Sequence, residues 1–145
     1  MTILSYTMKK HKDFLERRHN IVPPDGPLDG PIALVGEQPA KSEVHRRKPF
    51  VGEAGRKNLD PCLMAADIVR GTECYITNVI KDMDAPLKMF IDIPTNKNHE
   101  VKTSNLGDKY IEILRDELNE WSGNVIVALG NVALWVLTSR RGINK

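Results

Sequence analysis

Ile32-Ala33-Leu34-Val35-Gly36 is the stretch that decides the fold, because a short apolar run between polar segments is typical of a buried strand. Two similar runs follow, at residues 74–78 (CYITN) and 125–130 (VIVALG). Helical patterns separate the three runs, and such alternation is typical of a parallel sheet covered on both faces. The sequence therefore predicts an α/β fold, a three-layer α/β/α arrangement with a short parallel central sheet.

The helices are predicted from apolar periodicity and from capping residues. Residues 104–121 carry an apolar stripe with a period of about 3.6 residues, the repeat of an amphipathic helix. Asp60-Pro61 is typical of an N-cap followed by proline in the first turn, which predicts a helix from Asp60 to Val69 that stops at Gly71. Shorter helices are predicted over 6–18 and 131–138.

Three connections between these elements are predicted to be irregular. Residues 21–30 are rich in proline and glycine and must form a loop or a series of turns. Residues 37–52 are polar and contain Pro39, Pro49 and Gly52, which predicts a long loop. Residues 79–103 show no clear period. We therefore expect the functional groups to be carried by loops that the sheet positions.

Composition limits the class of protein. The chain has 145 residues, with 21 Lys+Arg against 19 Asp+Glu and 41% hydrophobic residues, which suits one domain over 1–145. Residues 1–30 would form its N-terminal helix and connector. Two cysteines and four scattered histidines predict neither a disulfide framework nor a metal site. No apolar run is long enough for a membrane helix, so a cytoplasmic location without membrane contact is expected.

Charge is distributed unevenly along the chain. Residues 9–18 and 41–57 are predominantly basic, whereas residues 108–120 are predominantly acidic. Clustered cations can mark a surface that faces the phosphates of DNA. Ordinary scatter of charge over a solvated surface explains the same pattern, and the sequence leaves both interpretations open.

Polar residues follow the predicted strands where the carboxyl ends of a parallel sheet meet. Glu37 and Gln38 come directly after the first strand, Asn78 closes the second, and Asn131 follows the third. Right-handed crossovers bring these ends to one edge, which is where open α/β sheets bind their ligands. The sequence therefore predicts the functional site at this edge.

Three residues offer chemistry there, each with a plainer alternative. Glu37 could act as a general base or stabilise a developing cation, or it could cap its loop. Phe50 could stack on a planar base, or it could fill the core. Asn78 could read the edge of a base through its amide, or it could close a strand into a turn. Glycine-rich phosphate-binding motifs are absent from the sequence, which weighs against a nucleotide-binding protein.

A family resemblance emerges from these same residues. Residues 36–43 (GEQPAKSE) and 48–55 (KPFVGEAG) resemble the uracil-DNA glycosylase superfamily, and the branch with GEAPGxxE and PFVGxAG motifs in particular. Residues 75–81 (YITNVIK) and 125–134 (VIVALGNVAL) are similar to two further motifs of that branch. The matches run in family order from residue 32 to about 134.

The resemblance implies a role for each matched position. Glu37 would activate water or stabilise the sugar cation while the N-glycosidic bond breaks. Phe50 would stack on uracil flipped out of the DNA, Asn78 would read its edge, and the backbone around Gln38 would complete the pocket. The cations that would meet the DNA are Lys41, Arg46, Arg47 and Lys48.

The sequence also departs from the family pattern. An iron–sulfur branch of the family uses four cysteines, one of them just after the NVxK segment, where this chain has Asp82. We expect no cluster and no other cofactor. The late histidine motif, the DNA-intercalating loop and a fourth strand of the family do not occur before Lys145, so a C-terminally shortened domain is expected. Similar domains precede some phage DNA polymerases.

Three hypotheses result. The first is a glycosylase that flips uracil out of single- or double-stranded DNA and hydrolyses its N-glycosidic bond, with Glu37 as the catalytic group. The second is a weakly active or inactive DNA-binding accessory domain, followed by a polymerase or attached to another replication protein. The third is an unrelated nucleotide-binding α/β protein. Retention of Glu37, Phe50 and Asn78 favours the first, and the missing histidine motif favours the second.

Overall fold

The computed structural model describes residues 5–142 and places a three-stranded parallel sheet at the centre of the chain. Strand β1 (Ile32–Gly36) lies between β2 (Cys74–Asn78) and β5 (Val125–Ala128). In this register Gly36 pairs with Asn78 and Val35 pairs with Ala128. The predicted α/β fold with a short parallel sheet is confirmed, and the carboxyl ends of its strands meet at one edge.

Side chains of the sheet divide between two apolar cores, one on each face, because successive residues of a strand point to opposite faces. The core on one face includes Leu34 and Ile76 and is closed by α4 (Asp60–Ala65) through Leu63. The core on the other face includes Val35 and is closed by α7 (Asn105–Glu120) and α8 (Asn131–Thr138). The buried members of this second core are Leu15, Val35, Val79, Ile80, Phe90, Ile91, Tyr110, Ile113, Leu114, Val132 and Ala133.

The two helices after residue 100 agree with the prediction within about one residue at each end. Helix α7 begins after Ser104, whose hydroxyl accepts a hydrogen bond from the Gly107 N–H at 3.1 Å. Helix α8 covers 131–138 as predicted. Both lie on the same face of the sheet, so they place the amino end of α8 beside the carboxyl end of β1.

The predicted single helix over 6–18 is wrong in its continuity. It is divided at His11 into α1 (Tyr6–Lys10) and α2 (Lys12–Glu16). The buried His11 ring lies 2.6 Å from the Asp116 carboxylate of α7. Glu120 of α7 also accepts hydrogen bonds from the first N–H groups of α1. Part of the acidic segment 108–120 therefore binds the N-terminal helices and is only partly exposed to solvent.

The long loop predicted over 37–52 is also wrong in part, because it contains α3 (Lys41–Arg46). The Glu43 carboxylate accepts the Ala40 N–H at 3.2 Å, which satisfies one of the free donors at the start of the helix. The sequence predicted a loop here because Pro39 and Pro49 lie on the two sides of this helix. The signal for the helix was the glutamate three residues into it.

The next helix starts at residue 53 and not at Asp60, so the predicted N-cap is wrong. A π-helical turn, Gly55–Leu59, leads without interruption into α4. The Asp60 N–H bonds to the Gly55 carbonyl, five residues back. Because Pro61 has no N–H and its ring crowds the preceding turn, the wider π turn accommodates it inside the helix. The helix ends at Ala65, and Gly71, the predicted stop, lies within α5 (Arg70–Glu73).

Residues 79–103 are less irregular than predicted. They contain α6 (Leu87–Phe90) and a short antiparallel pair, β3 (Ile91–Asp92) with β4 (Lys102–Thr103). These elements are too short for a periodic signal in the sequence. They form the support on which the start of α7 lies, since Ser104 N–H bonds to the Phe90 carbonyl at 3.0 Å.

Strand β5 is less covered than the sequence predicts. Val125, Ile126 and Val127 are 52%, 43% and 37% exposed. In the described part of the chain no strand pairs with the outer edge of β5. Among residues 5–142 this strand is therefore the least covered of the three. Among residues 5–142, no helix is long and apolar enough to cross a membrane.

Gly107 offers a test of the contact between α6 and α7. A Cβ at Gly107 would lie 2.2 Å from the Phe90 carbonyl oxygen, whereas a Cβ at Gly71 would meet nothing within 4 Å. Both glycines are helical, so alanine brings the same gain in helix propensity at each. We expect Gly107→Ala to lower the free energy of unfolding by about 1–3 kcal/mol, and Gly71→Ala to leave it unchanged or raise it slightly. Urea denaturation of both variants checks this, and equal stabilities would contradict the packing.

Candidate functional site

Glu37, Phe50 and Asn78 converge at the carboxyl edge of the sheet, around Gly36. Gly36 and Asn78 are paired neighbours in the register, and Glu37 follows Gly36 directly. A Cβ at Gly36 would lie 2.4 Å from the Phe50 ring and 2.5 Å from the Asn78 side-chain oxygen. The ring and the amide therefore both approach the Gly36 backbone closely. Because Gly36 has no side chain, it leaves a space that the Cβ of any other residue would fill.

The Asn78 amide is buried but has no partner. Asn78 is 2% exposed, and neither its side-chain oxygen nor its side-chain nitrogen forms a hydrogen bond within the described structure. A buried amide in this state costs free energy, and native proteins rarely keep one without a reason. One donor and one acceptor side by side on a planar group are complementary to the edge of a nucleobase. The site thus holds an unused pair of hydrogen-bonding groups.

Phe50 approaches Gly36 beside this amide, from a short segment between α3 and the helix that starts at residue 53. The ring is half-buried and contacts the core of Leu34 and Ile76 at its border. Its backbone has a φ of +54°, in the left-handed region that aromatic residues rarely adopt. The two interpretations of this residue are compatible, since one face of a ring can rest on the core while the other remains available for stacking.

Glu37 is held at the amino end of α8. Its carboxylate accepts the Val132 N–H at 2.8 Å. A Cβ at Gly130, whose φ is +110°, would lie 2.5 Å from the carboxylate carbon. The carboxylate thus lies at the positive end of the α8 dipole, with a charge-assisted hydrogen bond from one backbone N–H. Glu37 is thus a fixed negative charge at the edge of the sheet.

Gln38 connects the site to the loop after β2. Its side-chain nitrogen donates to the carbonyl oxygens of Asp82 and Ala85, at 3.1 and 2.7 Å. This nitrogen is committed to the loop. A substrate contact at Gln38, as the resemblance implies, would therefore fall to its backbone or its side-chain oxygen.

Sequence reasoning missed Glu43 as a support of the site. Glu43 is buried, and its two carboxylate oxygens accept N–H groups from Ala40 and from Gly52, each at 3.2 Å. These bonds join the segment after Glu37 to the segment after Phe50. The signal for it was a carboxylate close to two prolines and a glycine, in a segment, residues 41–52, whose other charged side chains are all basic.

A buried ion pair behind Asn78 was missed as well. Lys81 and Glu117 are both buried, with the Lys81 ammonium 2.5 Å from a Glu117 oxygen. Lys81 also donates to the Asn78 carbonyl at 2.5 Å and to the Thr77 hydroxyl at 2.7 Å. Burial lowers the pKa of Lys81 and the Glu117 charge opposes that shift. Burial, reinforced by the Glu117 charge, raises the pKa of Tyr75, whose hydroxyl donates to Glu117.

The four predicted DNA-binding cations lie in the segment between Glu37 and Phe50. Lys41 and Arg46 belong to α3, and Arg47 and Lys48 follow it. All four side chains are exposed, and within residues 5–142 none of them forms an ion pair. An open groove of about 690 Å³ lies between α2 and α3, and Arg47 is among its lining residues. The cations are therefore available to an anionic partner.

The residues present do not fit an iron–sulfur cluster. A cluster takes four thiolates, and the chain has only Cys62, exposed on α4, and Cys74, buried in β2. Asp82, at the position of a cysteine in the iron–sulfur branch, is fully buried. Its carboxylate accepts hydrogen bonds from the Tyr110 hydroxyl and from Arg18, the latter at 3.1 Å. This ion pair ties the segment after α2 to the loop that Gln38 contacts.

One group of possible metal ligands occurs elsewhere in residues 5–142. Ligand atoms of His11, Glu112 and Asp116 lie within 4.8 Å of one another. Asp116 already accepts hydrogen bonds from His11 and Lys10, which lower its pKa. Lys10 and His11 thus already occupy the Asp116 carboxylate. The role of the three residues is to pack α1 on α7.

Comparison with known proteins supports the resemblance. The family model described as the uracil DNA glycosylase superfamily matches residues 23–143. A type-4 uracil-DNA glycosylase of Archaeoglobus fulgidus is 31% identical over 121 residues, which are 83% of this chain and 54% of that protein. A type-4 uracil-DNA glycosylase of Pyrobaculum aerophilum is 41% identical over 64 residues, 44% of this chain and 32% of that protein. The chain thus spans about half the length of the first relative.

The Lys81–Glu117 pair predicts a specific pattern of stabilities. We expect Lys81→Met to lower the free energy of unfolding by about 3–5 kcal/mol, because it leaves a buried carboxylate uncompensated. Lys81→Met combined with Glu117→Gln should recover much of this loss, since glutamine still accepts from Tyr75 and Thr77 while no charge remains buried. Lys57→Met, which removes an exposed pair with Glu53, should have no measurable effect. Guanidinium denaturation compares them, and a double variant no better than Lys81→Met would contradict the electrostatic explanation.

Proposed function

This chain belongs to the uracil-DNA glycosylase superfamily, and we propose on that basis that it removes uracil from DNA by hydrolysing the N-glycosidic bond. The observation that carries the proposal is the Asn78 amide, which is buried near the Phe50 ring and forms no hydrogen bond with any of residues 5–142. Uracil offers a carbonyl acceptor next to an N–H donor, which complements the two polar groups of that amide. Binding of the base would satisfy both of them.

Access to the base requires it to leave the duplex or to be single-stranded already. A base inside a helix cannot reach a pocket of this kind, so the enzyme flips it out and compensates the lost stacking with an aromatic contact. Phe50 is the aromatic residue at this position. Its ring would cover one face of the flipped uracil while Asn78 meets its edge.

Glu37 is the group that would act on the reacting bond. Hydrolysis breaks the bond between the sugar C1′ and the base N1, and joins C1′ to the oxygen of water. The sugar develops positive charge on the way, and the leaving base becomes anionic until it takes up a proton. A carboxylate fixed by the Val132 N–H would stabilise that cation and orient the attacking water. Hydrogen-bond donors at the pocket, among them the Asn78 amide, would stabilise the base.

A DNA-binding accessory module is the second candidate function. Four exposed cations that form no ion pair in the described part of the chain favour binding to a phosphate backbone whether or not catalysis follows, namely Lys41, Arg46, Arg47 and Lys48. In that case Phe50 and Asn78 would contribute to affinity for DNA, and the chain would act with a partner such as a polymerase. Base release separates the two candidates.

The first experiment measures uracil release from a labelled single-stranded oligonucleotide. We expect release by the wild type and a reduction of about 100-fold or more in Glu37→Gln, the usual cost of removing a catalytic acid or base. Asn78→Ala should reduce the specificity constant by a similar factor, because it removes the hydrogen bonds to the base. A thymine-containing oligonucleotide of the same sequence should not react.

Glu53→Gln is the matched control, since it neutralises an exposed carboxylate in the neighbouring helix. Circular dichroism confirms that each variant is folded. Release within threefold of wild type in Glu37→Gln would refute the role of Glu37. Negligible release by the folded wild type, together with binding of the oligonucleotide, would instead support the accessory module.

The cations predict a dependence of DNA binding on salt. Each phosphate contact on single-stranded DNA contributes roughly 0.7 to the slope of log affinity against log salt concentration. We expect Arg46→Gln with Arg47→Gln to weaken binding and to reduce this slope by about 1.4. Fluorescence anisotropy between low and moderate salt measures the slope. The control Lys57→Gln removes a cation that is already paired with Glu53, so it should leave the slope unchanged. An equal reduction of the slope in that control would contradict the assignment of Arg46 and Arg47 to DNA binding.

A further inference from the structure

Phe50 occupies a backbone conformation that something must hold in place. Its φ of +54° lies in the left-handed region, which costs free energy for any residue with a side chain and more for a bulky one. Such residues persist where their surroundings fix them, and they concentrate at functional sites. The neighbours of the Phe50 backbone are therefore part of the site.

Arg70 donates hydrogen bonds to the backbone on both sides of the Phe50 Cα. One terminal nitrogen of its guanidinium donates to the Pro49 carbonyl at 2.6 Å, and the other donates to the Phe50 carbonyl at 2.7 Å. These carbonyls belong to the two peptide units that flank the Phe50 Cα. Holding both peptide planes fixes φ and ψ of Phe50 and hence the direction of its ring. A planar fork of donors suits this task, and a lysine ammonium does not replace it.

Arg70 is itself held by the helix that precedes it. Its guanidinium also donates to the Asp60 carboxylate on α4, at 2.8 Å. The Arg70 side chain is 21% exposed, and its guanidinium donates to three acceptors in all. Its role in the structure is thus accounted for by Phe50 and Asp60.

The backbone at Gly55 also lies close to the Phe50 carbonyl. A Cβ there would lie 1.9 Å from the Phe50 oxygen and 3.0 Å from its Cα. The backbone of the π-helical turn therefore passes directly against Phe50. The Phe50 carbonyl thus contacts both this turn and the Arg70 guanidinium, so the direction of the Phe50 ring depends on both.

We propose that Arg70 is a positioning residue of the base pocket, which acts by holding Phe50 in the conformation that presents its ring beside Gly36 and Asn78. This inference rests on the proposed function, because it assigns the ring to stacking on the flipped base. Arg70 contacts neither the base nor the reacting bond. Its effect reaches the substrate through Phe50.

The test is a double-mutant cycle between Arg70 and Phe50, measured as uracil release from a single-stranded oligonucleotide. Arg70→Met should raise KM about tenfold, near the lower end of the cost of losing a base–aromatic stack. The value of kcat should stay within about threefold, since stacking binds ground state and transition state alike. In a Phe50→Leu background, Arg70→Met should have no further effect on KM.

Asp60→Asn is the matched control, because it removes the charge partner of Arg70 and leaves both carbonyl contacts possible. Its KM should stay within about twofold of wild type. Arg70→Lys, a milder change if Arg70→Met fails to fold, should give an intermediate KM. A wild-type KM in a folded Arg70 variant would overturn the proposal. So would an effect of the same size in the Phe50→Leu background, since Arg70 would then act on something other than the ring.

A readout that needs no activity separates this proposal from the proposed function. The NMR signals of the Phe50 ring, assigned with labelled phenylalanine, should shift in Arg70→Met and stay in place in Asp60→Asn. If the wild type releases no uracil, the glycosylase proposal fails, and these signals still show whether Arg70 positions the ring. Unchanged Phe50 signals in Arg70→Met would overturn the inference whatever the activity.

Discussion

Parallel pairing between β1 and β2 is the constraint on which the site depends. The hydrogen-bond ladder continues beyond the two strands, since Val79 N–H bonds to the Gly36 carbonyl and Ile80 N–H bonds to the Glu37 carbonyl. This extension fixes the backbone of Glu37 relative to Asn78. Shifting the register by one residue would turn the Asn78 amide to the other face of the sheet, away from Phe50. The distance between the acidic group and the amide is thus set by the backbone.

Two buried charged groups stabilise the end of β2, and they are neighbours in the sequence. Lys81 pairs with Glu117 of α7, while Asp82 pairs with Arg18 from the N-terminal segment. Buried ion pairs contribute little net stability, but losing one partner is costly, so they fix geometry more than they add free energy. Here both pairs meet the segment between Asn78 and Ala85. Helices on one face and the N-terminal segment thereby hold the loop against which Gln38 lies.

Much of this arrangement follows from local sequence, and the failures have physical causes. The three strands, the ends of α7 and α8 and the convergence of Glu37 and Asn78 at the sheet edge were predictable, because apolar runs and capping residues are local signals. Helix α3 was not, since prolines on both sides concealed the glutamate that caps it. The start of the helix at residue 53 was missed because a π turn absorbs Pro61.

Within the site, residues with recognisable chemistry could be predicted and their supports could not. Glu37, Phe50 and Asn78 were identifiable from position, residue type and family resemblance. Glu43 bonds across the loop to Gly52, Arg70 bonds to the backbone at Phe50, and Lys81 pairs with Glu117 of α7. None of these contacts has a local signal in the sequence, and only the fold brings the partners together.

The uncovered edge of β5 has a consequence for handling this protein. Val125–Ala128 carries neither proline nor charge, and within residues 5–142 no strand pairs with its outer edge, which leaves these backbone groups open to an extended segment. Residues of this type in such a position serve as a template for intermolecular strand addition. Concentrated samples should therefore be examined by light scattering before any cooperative binding of DNA is interpreted. A lysine in place of Ile126 is the simplest safeguard, because edge strands of soluble proteins commonly avoid aggregation in this way.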